Sequence, residues 1–183
     1  PGNYQVCLKL EGKEYKQNFK ILKDPRLDTT SEDFTAQFEL WNKIIIKVSE
    51  INGAINTIRR IMFQIDELLS RDNLGNSISQ KSVKEVRRNA EKLLDKLKIL
   101  ENELTQTKNE TPSDRLRHPA MLKERMEALV SNVSVADSVP PQQVYEVFEH
   151  LSKQIDQKLK QLSLVSEKDL SSLNHLIEDN GIQ

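Results

Sequence analysis

The residues able to do chemistry are few and poorly grouped for it. The three histidines are His118, His150 and His175, and the positions three before them hold Arg115, Val147 and Ser172. The Glu-x-x-His motif of di-iron bundles is therefore absent, as are HExxH and its inverted form. His150 has Glu146 one helical turn before it. That spacing would suit a metal, and it equally suits an exposed i,i+4 pair. The 5 glycines are scattered, so no phosphate-cradling loop is present. Cys7 stands alone with no histidine nearby, which leaves no disulfide framework, no zinc cluster and no activated nucleophile. Asp66, Glu67 and Asp95 are carboxylates of the kind that glycoside chemistry pairs, but acids at such helical spacings ordinarily form solvated faces. The residues, read singly, assign no catalytic, cofactor-binding or metal-ligating position.

What the sequence does specify is elements. From Ser31 to about Arg71 it reads as one amphipathic helix, with Phe34, Trp41, Val48, Ile55, Met62 and Leu69 at heptad spacing. Ile44, Ile51, Ile58 and Ile65 fill the position three further on. At 1.5 Å per residue this rod spans roughly 60 Å and needs other helices along its length. Thr29, Thr30 and Ser31 with Glu32 and Asp33 supply its N-terminal signal. Asp72-Asn73-Leu74-Gly75-Asn76 ends it, with Gly75 as the turn residue. A further column, Phe38, Ile45, Asn52, Arg59 and Asp66, turns polar halfway along, as a register-fixing buried network or a wet edge would. Phe38 and Trp41 read as core aromatics where the bundle meets what precedes it.

A second helix runs from about Ser77 or Ser79 to Lys108. Val83, Val86, Ala90, Leu93, Leu97, Leu100 and Leu104 give it a three-four seam without a miss. The short connection makes it the antiparallel neighbour of the first helix. Asn109 to Pro119 is an irregular loop. Helix three begins near Pro119 and ends near Val133, with Met121 or Leu122, Met126, Leu129 and Val133 as its stripe. Pro140-Pro141 opens helix four, whose seam is Val144, Phe148, Leu151, Ile155, Leu159 and Leu162. The seam goes on less regularly through Val165, Leu170, Leu173 and Leu176 or Ile177, to Asn180-Gly181. Residues 166–169 are a kink or a break.

Residues 1–27 differ. Tyr4, Val6, Leu8 and Leu10, then Tyr15, Gln17, Phe19 and Ile21, alternate with polar positions around Glu11-Gly12-Lys13. That is a β-hairpin ended at Asp24-Pro25-Arg26. Two strands alone are marginal in water, so the hairpin is expected to close a truncated sandwich, the chain beginning as a fragment at Pro1. Lys9, Lys13, Lys16, Lys20, Lys23 and Arg26 outnumber the acids Glu11, Glu14 and Asp24 here. They suit an anionic partner or, more simply, a solvated sheet face. The expected fold is mainly α: a hairpin (1–27), then a long antiparallel up-down bundle (28–183) of four helices, or three long plus one short.

Lys+Arg 27 against Asp+Glu 28 gives a net charge of -1, with no basic face to argue for nucleic acid. No apolar run is long enough to span a membrane. The seam of helix two makes an oligomerisation bundle an alternative role.

Several stretches, in order, resemble the C-terminal region of bacterial BNR-repeat propeller proteins, the sortilin-like or glycosyl-hydrolase-like group. They are Pro1-Gly2-Asn3-Tyr4-Gln5-Val6 with Gly12, Tyr15 and Asp24-Pro25-Arg26; then Asp33-Phe34-Thr35-Ala36-Gln37-Phe38 with Leu40, Ala54-Ile55-Asn56 and Ile58-Arg59. Ala136-Asp137-Ser138, Gln143, Val147-Phe148-Glu149 and Leu151 follow, and last Asp169-Leu170, Leu173-Asn174, Leu176 and Gly181. Helix two carries little of the likeness, and Met62 stands where that family's pattern has an arginine. The resemblance implies the end of an immunoglobulin-like sandwich followed by a bundle, in a secreted or envelope-associated parent. It implies a ligand or substrate site on a propeller outside this chain, propeller and sandwich as partners, and no catalytic residue in the helical tail. A spacer, docking or assembly role follows, or an accessory role beside a glycoside hydrolase site on the propeller.

Overall fold

The structure, a computed structural model, describes residues 1–70 and 80–182. Strands β1 (Gly2–Leu10) and β2 (Lys13–Ile21) pair antiparallel from Gly2↔Ile21 to Leu10↔Lys13. Glu11 (φ 48°) and Gly12 (φ 77°) both lie in the left-handed region. A two-residue hairpin loop requires this so that its twist matches the strands.

Helix α1 (Ser31–Ser70) forms over the predicted stretch; the expected turn at 72–76 and the first residues of the next helix lie outside the described residues. Its start is a reciprocal cap. The Thr30 N–H donates to Asp33 Oδ2 (2.9 Å), and the Asp33 N–H donates to Thr30 Oγ1 (3.1 Å). The bond from the Thr30 backbone, seconded by its hydroxyl, holds the Asp33 carboxyl below the usual carboxylate range. A carboxylate depressed on folding adds stability above its unfolded value near 3.9 and loses it as pH falls through the lowered folded value. The stability gap between wild type and Asp33→Ala is therefore expected to be full at neutral pH and to close as pH falls through the lowered folded value. A gap unchanged by pH in denaturant titrations would remove this cap.

Helix α2 (Gln80–Leu104) buries Val86, Ala90, Leu93, Leu97, Leu100 and Leu104 as its spacing predicts, and Leu94 beside them. It ends four residues earlier than Lys108. After Thr105, the N–H of Gln106 leaves the helical ladder and donates to the Glu124 carboxylate (3.2 and 3.3 Å). The loop beyond is not wholly irregular, since Pro112–Leu116 form a 3-10 turn. There the Asp114 carboxylate accepts from the Glu110 and Thr111 backbones (3.0 and 2.8 Å).

Helix α3 (Leu122–Ser134) starts three residues past Pro119, which sits outside it. Met121 is the N-cap, and its N–H is taken by Glu124 (3.0 Å). Leu122, Met126, Leu129 and Val133 are buried, which settles the stripe on Leu122.

Helix α4 (Gln142–Leu164) follows the N-cap Pro141, and the question at 166–169 resolves as continuity. A π-helical turn, Val165–Leu170, leads directly into α5 (Ser171–Asp179). The apolar seam steps five residues there, from Val165 to Leu170, where three or four are usual. A π-turn absorbs such a step and keeps both residues on the packed side. Gly181 (φ 59°) closes α5. Ile182 N–H donates to Ile177 (3.1 Å) and Gly181 N–H to Glu178 (3.0 Å), the Schellman pattern, with Ile182 buried.

Contacts between helices give the directions. The Arg87 guanidinium donates to the Leu69 carbonyl (3.0 Å), and Arg59 pairs with Glu101 (2.5 Å), so α2 runs back along the second half of α1. The start of α3 meets the end of α2 at Glu124, and the end of α3 meets the start of α1. There the Gln37 amide donates to the carbonyls of Val133 (2.6 Å) and Ala136 (2.7 Å). Lys47 pairs with Asp156 (2.8 Å), placing α4 parallel to α1, while Lys96–Asp169 and Lys158–Glu103 (both 2.8 Å) place it antiparallel to α2. The bundle therefore has three rods: α1; α2 continued by the short α3; and α4 continued by α5. By helical rise, α2 and α3 measure about 37 and 20 Å, together close to the roughly 60 Å of α1. Three long helices plus one short is the arrangement adopted.

The isoleucine row of α1 forms the axis: Ile44, Ile51 and Ile58 are fully buried and Ile65 nearly so. The row Trp41, Val48, Met62 and Leu69 flanks it half-buried, though Ile55 within it is buried. On the other flank lies a row at heptad spacing that the periodicity reading omits: Leu40, Lys47, Ala54, Ile61 and Leu68. Lys47 is its one charged member. Burial pulls its amine down, but Asp156 and Glu50 (2.8 and 2.7 Å) outweigh this and raise it. That stabilisation is present below the ordinary lysine range and is lost as pH rises through the raised folded value.

Candidate docking surface

The residues with the most chemical potential are dispersed. His150 is exposed, its ring nitrogen 2.8 Å from the Gln154 amide, and Glu146 is instead within reach of the Gln142 amide (3.4 Å). His175 lies 3.8 Å from Glu178, and His118 sits in the loop after the 3-10 turn. Asp66, Glu67 and Asp95 are exposed on α1 and α2 and make no paired site. Cys7 is exposed on β1. Among the described residues no group of three or more His, Cys, Asp or Glu side chains is placed to hold a metal ion.

The polar column of α1 is mostly wet. Asn52 and Asp66 are exposed, and only Arg59 reaches across, to Glu101, whose side chain is 10% exposed against 58% for Arg59. Phe38 does not join the core. It is 61% exposed, because Leu40 takes the buried position at that end of α1 and no helix covers Phe38. Trp41 does pack on the core from its flank. Both residues line a cleft of about 580 Å³ with Tyr4, Phe34, Gln37 and Val133, at the foot of the hairpin.

The hairpin itself is the surface that stands out. Alternation puts Tyr4, Val6, Leu8, Leu10, Tyr15, Phe19 and Ile21 on one face, and each is 46–59% exposed. Tyr4 and Phe19 stack across the strands, with ring centroids 5.7 Å apart. Apart from Tyr4, which shares the cleft with Phe34, Phe38 and Trp41 of α1, no helix among the described residues packs against either strand. Seven apolar side chains left half open amount to roughly 700 Å² of surface, above the ~300–600 Å² of the largest patch on a typical monomer. The opposite face is polar. Lys9 and Lys16 both pair with Glu14 (2.9 and 3.0 Å), which holds the Glu14 carboxyl below its usual range through Lys9 first and then Lys16. The Lys23 amine donates to the Thr29 carbonyl (2.9 Å), and Arg26 pairs with Asp24 (2.7 Å). Much of the basic excess is thus neutralised or engaged locally. The sequence showed the alternation; it could not show that the face it creates would be left uncovered.

The seam of α2, the feature behind an oligomerisation role, is spent inside the chain, since Val86 to Leu104 are buried against the other rods. Among the described residues no helix is long and apolar enough to cross a membrane. Comparison of the chain with protein-family models, with curated proteins and with solved structures gives no match.

Proposed function

We propose that this chain is a non-catalytic structural and docking module: a rigid three-rod helical strut that carries two strands belonging to a larger β-sheet. The observation that supports this reading most is the exposed apolar face from Tyr4 to Ile21, which meets the described helices only at the cleft beside Tyr4. Water-exposed surface of that size is ordinarily covered in the working assembly. The resemblance to the tail of BNR-repeat propeller proteins names the context. The parent would be secreted or envelope-associated, the hairpin would finish its sandwich, and any ligand or substrate site would lie on the propeller. The strut would then space or dock that assembly.

Leu8→Lys tests this. In the isolated chain the bundle should unfold as before, within about 0.5 kcal/mol, because Leu8 touches no helix. In the full polypeptide encoded by the gene, the same charge would be buried between sheets and should destabilise the sheet domain by about 2–4 kcal/mol in urea titrations. A variant that is silent in both settings would end the docking reading.

A further inference from the structure

We infer that the cleft at the foot of the hairpin is a binding site for a small organic cation, a quaternary ammonium compound. The assignment goes beyond the docking reading and does not rest on it. Of the chain's one tryptophan, three tyrosines and five phenylalanines, four meet here: Tyr4 from β1 with Phe34, Phe38 and Trp41 from α1. Core packing does not account for that gathering. Among the described residues the buried apolar core holds no aromatic side chain, and Phe38 lies mostly in water. The rings instead help wall an opening of about 580 Å³, within the roughly 300–1,000 Å³ usual for small-molecule sites.

The polar lining decides the charge of the occupant. The Gln37 amide nitrogen is spent on the carbonyls of Val133 and Ala136 (2.6 and 2.7 Å), which leaves its side-chain oxygen as an acceptor. The hydroxyls of Thr35 and Ser134 give their hydrogens to the carbonyls of Ser31 and Val130 (both 2.9 Å). Asp137 brings the one charged side chain, and no Lys, Arg or His lines the cleft. Its only positive group is the Pro1 nitrogen, an ammonium set among these same acceptors. Carboxylate, amide and hydroxyl oxygens attract positive charge, and so do the negative faces of aromatic rings. A neutral sugar would need donors in return, and most of those here are spent. A primary ammonium holds its water tightly, whereas a quaternary one is clad in methyl groups that suit the rings.

Trp41 is the only tryptophan, so its fluorescence reports on this cleft alone. Choline titrated into this chain should shift that emission and saturate. Its neutral isostere, with carbon in place of the nitrogen, should bind at least ~10-fold more weakly. Phe38→Ala and Asp137→Asn should each weaken choline by about 3–30-fold. Both variants should keep the wild-type melting curve. Phe38 is exposed, and it is the Asp137 backbone carbonyl, not its carboxylate, that accepts from the Thr29 hydroxyl. Leu8→Lys lies outside the cleft and should leave choline affinity unchanged.

Absence of a saturable response to choline overturns the assignment, as does equal binding of the isostere. Saturation by maltose in place of choline does the same, and so does wild-type affinity in Phe38→Ala and Asp137→Asn, or loss of choline binding in Leu8→Lys. A Trp41 shift that follows protein concentration without ligand would mark a second copy as the occupant and overturn it too. Binding to phosphatidylcholine vesicles without binding of free choline would place the ligand in a membrane, again against a small-molecule site. If choline fails to bind while Leu8→Lys still destabilises the full polypeptide, the cleft assignment falls and the docking reading stands. If choline binds and Leu8→Lys is silent in both settings, the reverse holds.

Discussion

Ile58→Ala is expected to cost about 3–4 kcal/mol, near the middle of the range for emptying a fully buried isoleucine site. Ile58 has no solvent exposure, and it belongs to the row of Ile44, Ile51 and Ile65 on which all three rods converge. The neighbouring rods are each built on their own buried seams, so the cavity has few ways to collapse. At about 2–4 °C per kcal/mol for a chain of this size, the thermal midpoint should fall by roughly 6–16 °C. The ranking is as informative as the size. Met62→Ala, on the half-buried flank, should cost less, and Ile46→Ala, on the exposed side of the same helix, should stay within about 0.5 kcal/mol. Equal effects at Ile58 and Met62 would mean that the axis of the bundle runs elsewhere.

That axis was readable because isoleucine repeats on it without interruption, as leucine does along the second half of α2 from Leu93 to Leu104. The opposite flank of α1 was not readable, because Lys47 occupies it and a charge in a heptad position signals solvent. Its burial depends on Asp156, on a helix more than a hundred residues later, and on Glu50 beside it. The same limit applies at the end of α2. Its helical pattern runs past Leu104, and what stops it is a carboxylate eighteen residues on that competes for the Gln106 N–H. The π-turn lay between these cases. Its five-residue step from Val165 to Leu170 is visible in the sequence, yet a kink or a break would leave the same trace.

The direction of α3 had no local signal at all. A loop of about ten residues permits either a return or a continuation, and alternation of direction is the simpler expectation for a bundle. Continuation wins because α2 covers only part of α1. The remaining length, from Leu40 to Lys47, needs a partner, and α3 supplies Met126, Leu129 and Val133 there. For the docking surface the position is reversed. Register, faces and turn were all legible from alternation and one glycine, whereas exposure was not, since alternation ordinarily implies that the apolar face is covered.

Glu124 is where the two halves of the second rod are joined, and its removal should matter more than its half-buried position suggests. Its carboxylate accepts from the Thr105 hydroxyl (2.7 Å), the Gln106 N–H (3.2 and 3.3 Å) and the Met121 N–H (3.0 Å). One residue thus satisfies the backbone leaving α2 and the backbone entering α3. It also places negative charge at the positive end of the α3 dipole. Glu124→Ala leaves the hydroxyl of Thr105, which is 6% exposed, and two backbone donors without their acceptor. The loss of a cap and of charge-assisted bonds should cost about 2–3 kcal/mol. Glu124→Gln keeps an acceptor oxygen and loses the charge, so it should fall between. The Gln106 and Met121 amides should exchange faster in Glu124→Ala than the rest of α2 and α3. Small-angle scattering should show a larger radius of gyration once α2 and α3 no longer act as one rod. If the variant loses under about 0.5 kcal/mol with both amides unchanged, the junction is held by packing alone and the rod's stiffness has another source.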